Sequence, residues 1–121
     1  MRYFFGSTEK DWQSAENDCI ARGGQLTSVH SKAENDFLTQ KSITIFGGVS
    51  LWYGGIRVNN TFTWSDGTPF SNKTFWRTGE PNNLGRENCL HMTDTEIGKW
   101  NDAPCDHQKR YACKLGKGKC S

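Results

Sequence analysis

A mixed helix-and-strand domain stapled by disulfides is predicted for this chain, on three observations. Two segments in the first third have helical periodicity, the remainder offers short strand-like runs between turn residues, and five cysteines accompany a thin apolar supply. The 121 residues suit one domain. Only 34% of them are hydrophobic, and 13 glycines add modestly to that, where ordinary globular chains reach roughly 45% on a count that includes glycine. A core built from so little needs covalent help.

Taken in order, residues 3–5 form an aromatic run that suits a strand. Thr8 is placed to cap a helix whose apolar positions Trp12, Ala15, Cys19 and Ile20 recur every three or four residues. Gly23-Gly24 ends that helix in the left-handed manner. Residues 25–29 alternate up to Ser31-Lys32-Ala33-Glu34, a capping box opening a second helix with Phe37 and Leu38 inward. Leu51-Trp52-Tyr53 reads as a strand. Beyond it, residues 54–87 lose periodicity among glycine, proline and asparagine, and only Thr61–Trp64 looks like a strand, turning at Ser65-Asp66-Gly67. So long a patternless stretch is either functional or hides an unassigned element. Cys89–Met92 and Trp100 then flank a turn, and Tyr111-Ala112-Cys113-Lys114 is the last strand. Residues 115–121, rich in glycine and lysine, read as a loose tail.

Fifteen basic residues against thirteen acidic give +2, too balanced for an electrostatic nucleic-acid binder. No apolar run approaches the roughly 18 residues of a membrane span. Cysteines stand at 19, 89, 105, 113 and 120, without a CxxC pair or histidines at zinc-finger spacing. His30, His91 and His107 are scattered singly and read as surface or packing residues. Four cysteines allow three pairings, the fifth is left over, and an oxidising compartment follows, so the domain is expected to be secreted or extracellular. Glycosylation tripeptides at Asn59-Asn60-Thr61 and Asn72-Lys73-Thr74 agree with that setting. The residues after Met1 lack signal-peptide character, so the chain is expected to be a mature domain.

Oxygen donors concentrate in the second half, in Glu80-Pro81-Asn82, Glu87-Asn88-Cys89 and Trp100-Asn101-Asp102. Calcium takes about six to eight hard oxygens. The carboxylates of Glu80, Glu87 and Asp102 with the amides of Asn82 and Asn101 supply most of such a shell. Three anions held close together repel one another unless a cation joins them. Proline after Glu80 restrains the backbone, and a cis bond there would aim the flanking side chains the same way. Composition alone fits solvated turns as well.

The order of Trp52-Tyr53-Gly54-Gly55, Glu80-Pro81-Asn82, Glu87-Asn88-Cys89, Trp100-Asn101-Asp102, Cys105 and Tyr111-Ala112-Cys113 resembles that of a C-type lectin domain, from Tyr3 to Lys114. The resemblance implies an α+β double-loop fold, two helices flanking antiparallel strands with a long irregular calcium-binding loop, in its short form. It implies the pairs Cys19–Cys113 and Cys89–Cys105, a core role for Trp52, and no enzymatic activity. It implies one principal calcium ion held by Glu80, Asn82, Glu87, Asn101 and Asp102, with a backbone carbonyl of Asp102. Two neighbouring sugar hydroxyls would coordinate that ion, the same five side chains and Leu84 meeting the sugar. Glu-Pro-Asn is similar to mannose-type members, so glycans ending in mannose, fucose or N-acetylglucosamine are expected over galactose. Arg57-Val58-Asn59-Asn60 has no acid, and Asn83 and Asn88 stand where relatives often carry aspartate, so one calcium is expected rather than two or three. Acid is expected to release calcium and sugar together.

Cys120 is either a free thiol or a bridge to a second copy, which would raise avidity by roughly 10²–10⁴ where a ligand spans both sites. Two rival readings are a secreted hydrolase using Glu80 and Glu87 as acid and base, and a protein-binding module on the same fold. The first lacks a nucleophile signature; the second usually goes with lost calcium ligands, whereas all five matching positions are present.

Overall fold

A computed structural model describes residues 2–71, 74–77, 87–93 and 97–116. The aromatic run at the start belongs to a longer strand, β1 (Arg2–Lys10), which passes through Thr8. Cross-strand pairing of residues 2–6 and Lys10 therefore displaces the helix start expected at Thr8. Helix α1 (Trp12–Ala21) begins at Asp11 instead, whose carboxylate accepts from the Ser14 N–H at 2.8 Å. Its buried face is Trp12, Ala15, Glu16 and Cys19, and Ile20 turns to solvent. Gly23 takes the left-handed conformation, φ 95°, and Gly24 already opens β2 (Gly24–Leu26).

Helix α2 (Lys32–Phe46) starts as the capping box requires. Ser31 Oγ accepts from the Glu34 N–H, and the Glu34 carboxylate reaches back to the N–H of His30, one residue before the cap. Leu38 is buried, but Phe37 is not the inward residue expected. Consecutive helix positions diverge by about 100°, so the two cannot share one inward direction, and Phe37 instead meets the Tyr3 ring at 5.2 Å.

Strand β3 (Leu51–Val58) runs five residues past Tyr53, where the sequence pattern had ended. The two glycines that break the pattern are there for close approach. A Cβ on Gly54 would lie 2.6 Å from the Leu26 carbonyl oxygen, and one on Gly55 2.6 Å from Leu90 Cδ1. Asn59 and Asn60, with φ 52° and 66°, turn the chain into β4 (Thr61–Trp64) as two-residue hairpin loops do. Then come β5 (Cys89–Met92), β6 (Trp100–Ala103) and β7 (Lys109–Leu115). Leu115, expected in the loose tail, is the last residue of β7 and pairs with Arg2 and Gly24. Residues 117–121, with Cys120, lie outside the described residues.

The sheet has the order β1-β7-β3-β5-β6, with β2 also on β7 and β4 also on β3. Only β3 and β7 run parallel. Cys19–Cys113 ties α1 to β7, and Cys89–Cys105 ties β5 to the residues just after β6. This is the α+β double-loop C-type lectin fold. Trp52 is fully buried, as expected, and donates its Nε1–H to the Lys10 carbonyl. Trp100, also fully buried, donates to Asn35 Oδ1 at 2.9 Å, and Asn35 Nδ2 donates to the Gly98 carbonyl at 2.8 Å. No helix among the described residues is long and apolar enough to cross a membrane.

His91, on β5 against the Trp52 ring, has a predictable effect on acid stability. Burial, helped by the charge of Lys109, pushes its pKa down from 6.5 to about 3. The unfolded chain thus binds a proton that the native state refuses between those values, so stability falls as pH drops through that window. The slope approaches about 1.4 kcal/mol per pH unit at its steepest. Glu16, pushed up by burial, works the other way over part of the range. Denaturant titrations between pH 7 and 4 should show His91→Gln losing stability more slowly than the wild type; equal slopes would refute this.

Candidate calcium and sugar site

Of the five expected calcium ligands, Glu87, Asn101 and Asp102 are described, whereas Glu80, Asn82 and Leu84 lie outside the described residues, as do Pro81 and Asn72. Asn101 and Asp102 lie on β6, and residue 87 just precedes β5. In the β5–β6 register Cys89 stands opposite Ala103 and Leu90 opposite Asp102, which sets residue 87 beside the start of the paired region. One side chain joins Glu87 and Asp102. Arg57 Nη2 donates to Asp102 Oδ2 at 2.7 Å and to the Glu87 carbonyl at 3.0 Å. That carbonyl and that carboxylate are thus no farther apart than the sum of those two distances.

Arg57 is fixed on other sides too. Its backbone N–H donates to the Asn88 carbonyl at 2.8 Å, and its guanidinium lies 4.6 Å from the Phe62 ring centre. The ion pair with Asp102 is interior: the two side chains are 6% and 0% exposed. A pair this dry gains strongly from mutual attraction and also carries a desolvation cost on both members. Sequence reading passed Arg57 over as merely a non-acid. It is 45 residues from Asp102, and no local pattern announces such a partner; only the β3–β5–β6 neighbourhood does.

The described residues before the segment carrying Glu80 and Asn82 lie against β6, and those after it lie against Arg57 on β3. Trp76 forms a parallel bridge to Trp100. The Trp100 N–H donates to the Phe75 carbonyl, and the Arg77 N–H to the Trp100 carbonyl, both at 2.8 Å. The chain therefore departs toward Glu80 from alongside the residue preceding Asn101, and it returns at Glu87, against Arg57.

Among the described residues the buried Asn101 Oδ1 meets no hydrogen-bond donor. A carbonyl oxygen withdrawn from water in that way is costly unless a donor or a cation meets it. This oxygen, the Asp102 carboxylate and the Glu87 carbonyl are hard donors of the type calcium takes, so the chemistry of the described donors fits the ion. Arg57, already on Asp102, is the feature that such an ion would have to share space with.

Fold and disulfides together define a small two-bridge α+β domain, in which β3 and the β5–β6 edge of the sheet bring Arg57 onto Asp102 and the Glu87 carbonyl. The chain belongs to the family described as "Lectin C-type domain", which matches residues 8–115. It is 38% identical to human "C-type lectin domain family 4 member K" over 118 residues, 93% of this chain and 35% of that protein. Among solved structures it is similar to the cow C-type carbohydrate-recognition domain of CD23 in the presence of a GlcNAc2Man3 oligosaccharide. That match has a TM-score of 0.81 at 36% identity, covering 93% of this chain and 86% of that one. A calcium-independent type II antifreeze protein also has a TM-score of 0.81, at 28% identity over 92% of this chain and 82% of its own. The chain spans about a third of the length of the curated relatives it matches.

Proposed function

We propose that this domain is a calcium-dependent lectin of the mannose type, which binds terminal mannose, fucose or N-acetylglucosamine without cleaving them, outside the cell. The observation that supports the reading is the Glu87 carbonyl and the Asp102 carboxylate held on one guanidinium, beside a buried Asn101 Oδ1 without a donor among the described residues. Glu80 and Asn82 complete the set from the sequence, and the relatives support a carbohydrate ligand. Calcium, when bound, supplies open coordination positions for two neighbouring sugar hydroxyls. The carboxylates of Glu80 and Glu87 accept the hydroxyl protons, and the amide nitrogens of Asn82 and Asn101 donate to the hydroxyl oxygens. Asp102 would contribute negative charge to the ion. Selection of the sugar is thus a matter of where donors and acceptors stand, and the Glu-Pro-Asn order favours equatorial 3- and 4-hydroxyls.

The test is retention on immobilised mannose. The domain is expected to bind in calcium, to elute with chelator or free mannose, and to ignore galactose. Calorimetry should show one tight calcium; two or more would overturn that number. A second reading, recognition without calcium, is favoured by Arg57 already neutralising Asp102 and by the antifreeze protein's likeness. Retention that persists in chelator, or no retention in calcium, would select it. Whether Cys120 links two copies is settled by electrophoresis with and without reductant.

A further inference from the structure

We propose that Arg57 is an internal counter-ion that competes with calcium for Asp102, holding the metal-free site together and setting its calcium affinity below what the same ligands would otherwise reach. The inference rests on the calcium reading above and adds to it a residue that is not itself a ligand. It starts from the buried pair: the Arg57 guanidinium donates to Asp102 Oδ2 at 2.7 Å, with both side chains nearly or fully out of water. The same nitrogen holds the Glu87 carbonyl, and the Arg57 backbone holds Asn88. One residue on β3 therefore braces the described segments that carry Glu87 and Asp102.

Two consequences for calcium oppose each other. Bracing pre-orders the ligands and favours binding. A fixed positive charge on a ligand carboxylate disfavours it. Two cations bonded to one carboxylate sit on the order of 5 Å apart, where a single and a double charge repel by roughly ten times the thermal energy at an effective dielectric constant near 20. Ordering the backbone of one residue is worth about two to three times the thermal energy, and of the braced residues only Glu87 and Asn88 stand outside a strand. The charge wins. Relief of that repulsion drives calcium affinity upward when Arg57 is neutralised.

The experiment compares Arg57→Met, Arg57→Gln and Arg57→Lys with the wild type by thermal unfolding in chelator and by calcium calorimetry. Gln keeps a hydrogen-bonding side chain without charge and stands in for Met should that variant fold poorly; Lys keeps the charge. Met and Gln are expected to melt lower in chelator yet bind calcium about tenfold or more tighter, with Lys close to the wild type in calcium affinity. Unchanged or weaker calcium binding in both neutral variants would overturn the proposal and leave Arg57 a brace alone. Should the wild type take up no calcium, the lectin reading fails on that result. The counter-ion role then stands if the neutral variants acquire calcium binding and falls if they do not.

Discussion

Asp102→Asn is expected to abolish calcium-dependent retention on mannose and to cost stability even in chelator. The carboxylate is the buried partner of Arg57 and a proposed calcium ligand, so the amide withdraws charge from two cations at once. The guanidinium is then left inside with only neutral oxygens, the amide's and the Glu87 carbonyl's, among its described partners. Breaking a buried pair costs about 3–5 kcal/mol, and because the amide oxygen still accepts one bond the loss should fall near the lower figure. Isothermal calcium titration and urea unfolding in chelator read the two effects separately. Unaltered calcium uptake would remove Asp102 from the site. The contrast with Arg57→Met is diagnostic, since cutting one pair from its two ends should move calcium affinity in opposite directions.

Removing the two disulfides should cost unequal amounts of stability, and only one removal should disturb the site. Cys19–Cys113 closes a separation of 94 residues and Cys89–Cys105 one of 16. On the chain-entropy account these are worth about 4–5 and 3 kcal/mol respectively. Denaturant unfolding of Cys19→Ala/Cys113→Ala and Cys89→Ala/Cys105→Ala measures the difference. The short bridge ties β5 to the residues following β6, the strands next to Glu87 and Asp102, so its loss should also weaken calcium binding. The long bridge, between α1 and β7, should leave calcium affinity close to the wild type once the protein is folded. Equal stability losses would count against the entropic account, and equal effects on calcium would show that the short bridge does not organise the site.

Much of this architecture is legible in the chain as written. Ser31 and Glu34 announce α2, Thr61–Trp64 announces β4, and Leu51-Trp52-Tyr53 and Tyr111-Ala112-Cys113-Lys114 mark β3 and β7. These signals are readable because capping and side-chain alternation depend on residues within one turn or two positions of each other. The disulfide pairs came from the resemblance, and the fold bears them out. Signals failed where a distant partner outweighed a local preference. Thr8 would cap a helix by itself, but β7 recruits it into β1. Gly54 and Gly55 look like the end of a strand, yet they lie inside one because Leu26 and Leu90 leave no room for a Cβ.

The candidate site divides along the same line. Residue types and their order by themselves determined only the expectation that Glu87, Asn101 and Asp102 offer oxygen donors, since carboxylate and amide chemistry is a property of each side chain alone. That Asp102 is met by a guanidinium, and that Asn101 Oδ1 is sealed from water without a donor among the described residues, only the tertiary structure decided. Burial and charge pairing are relations between segments tens of residues apart, brought together by the β3–β5–β6 ladder, and no window of sequence contains them.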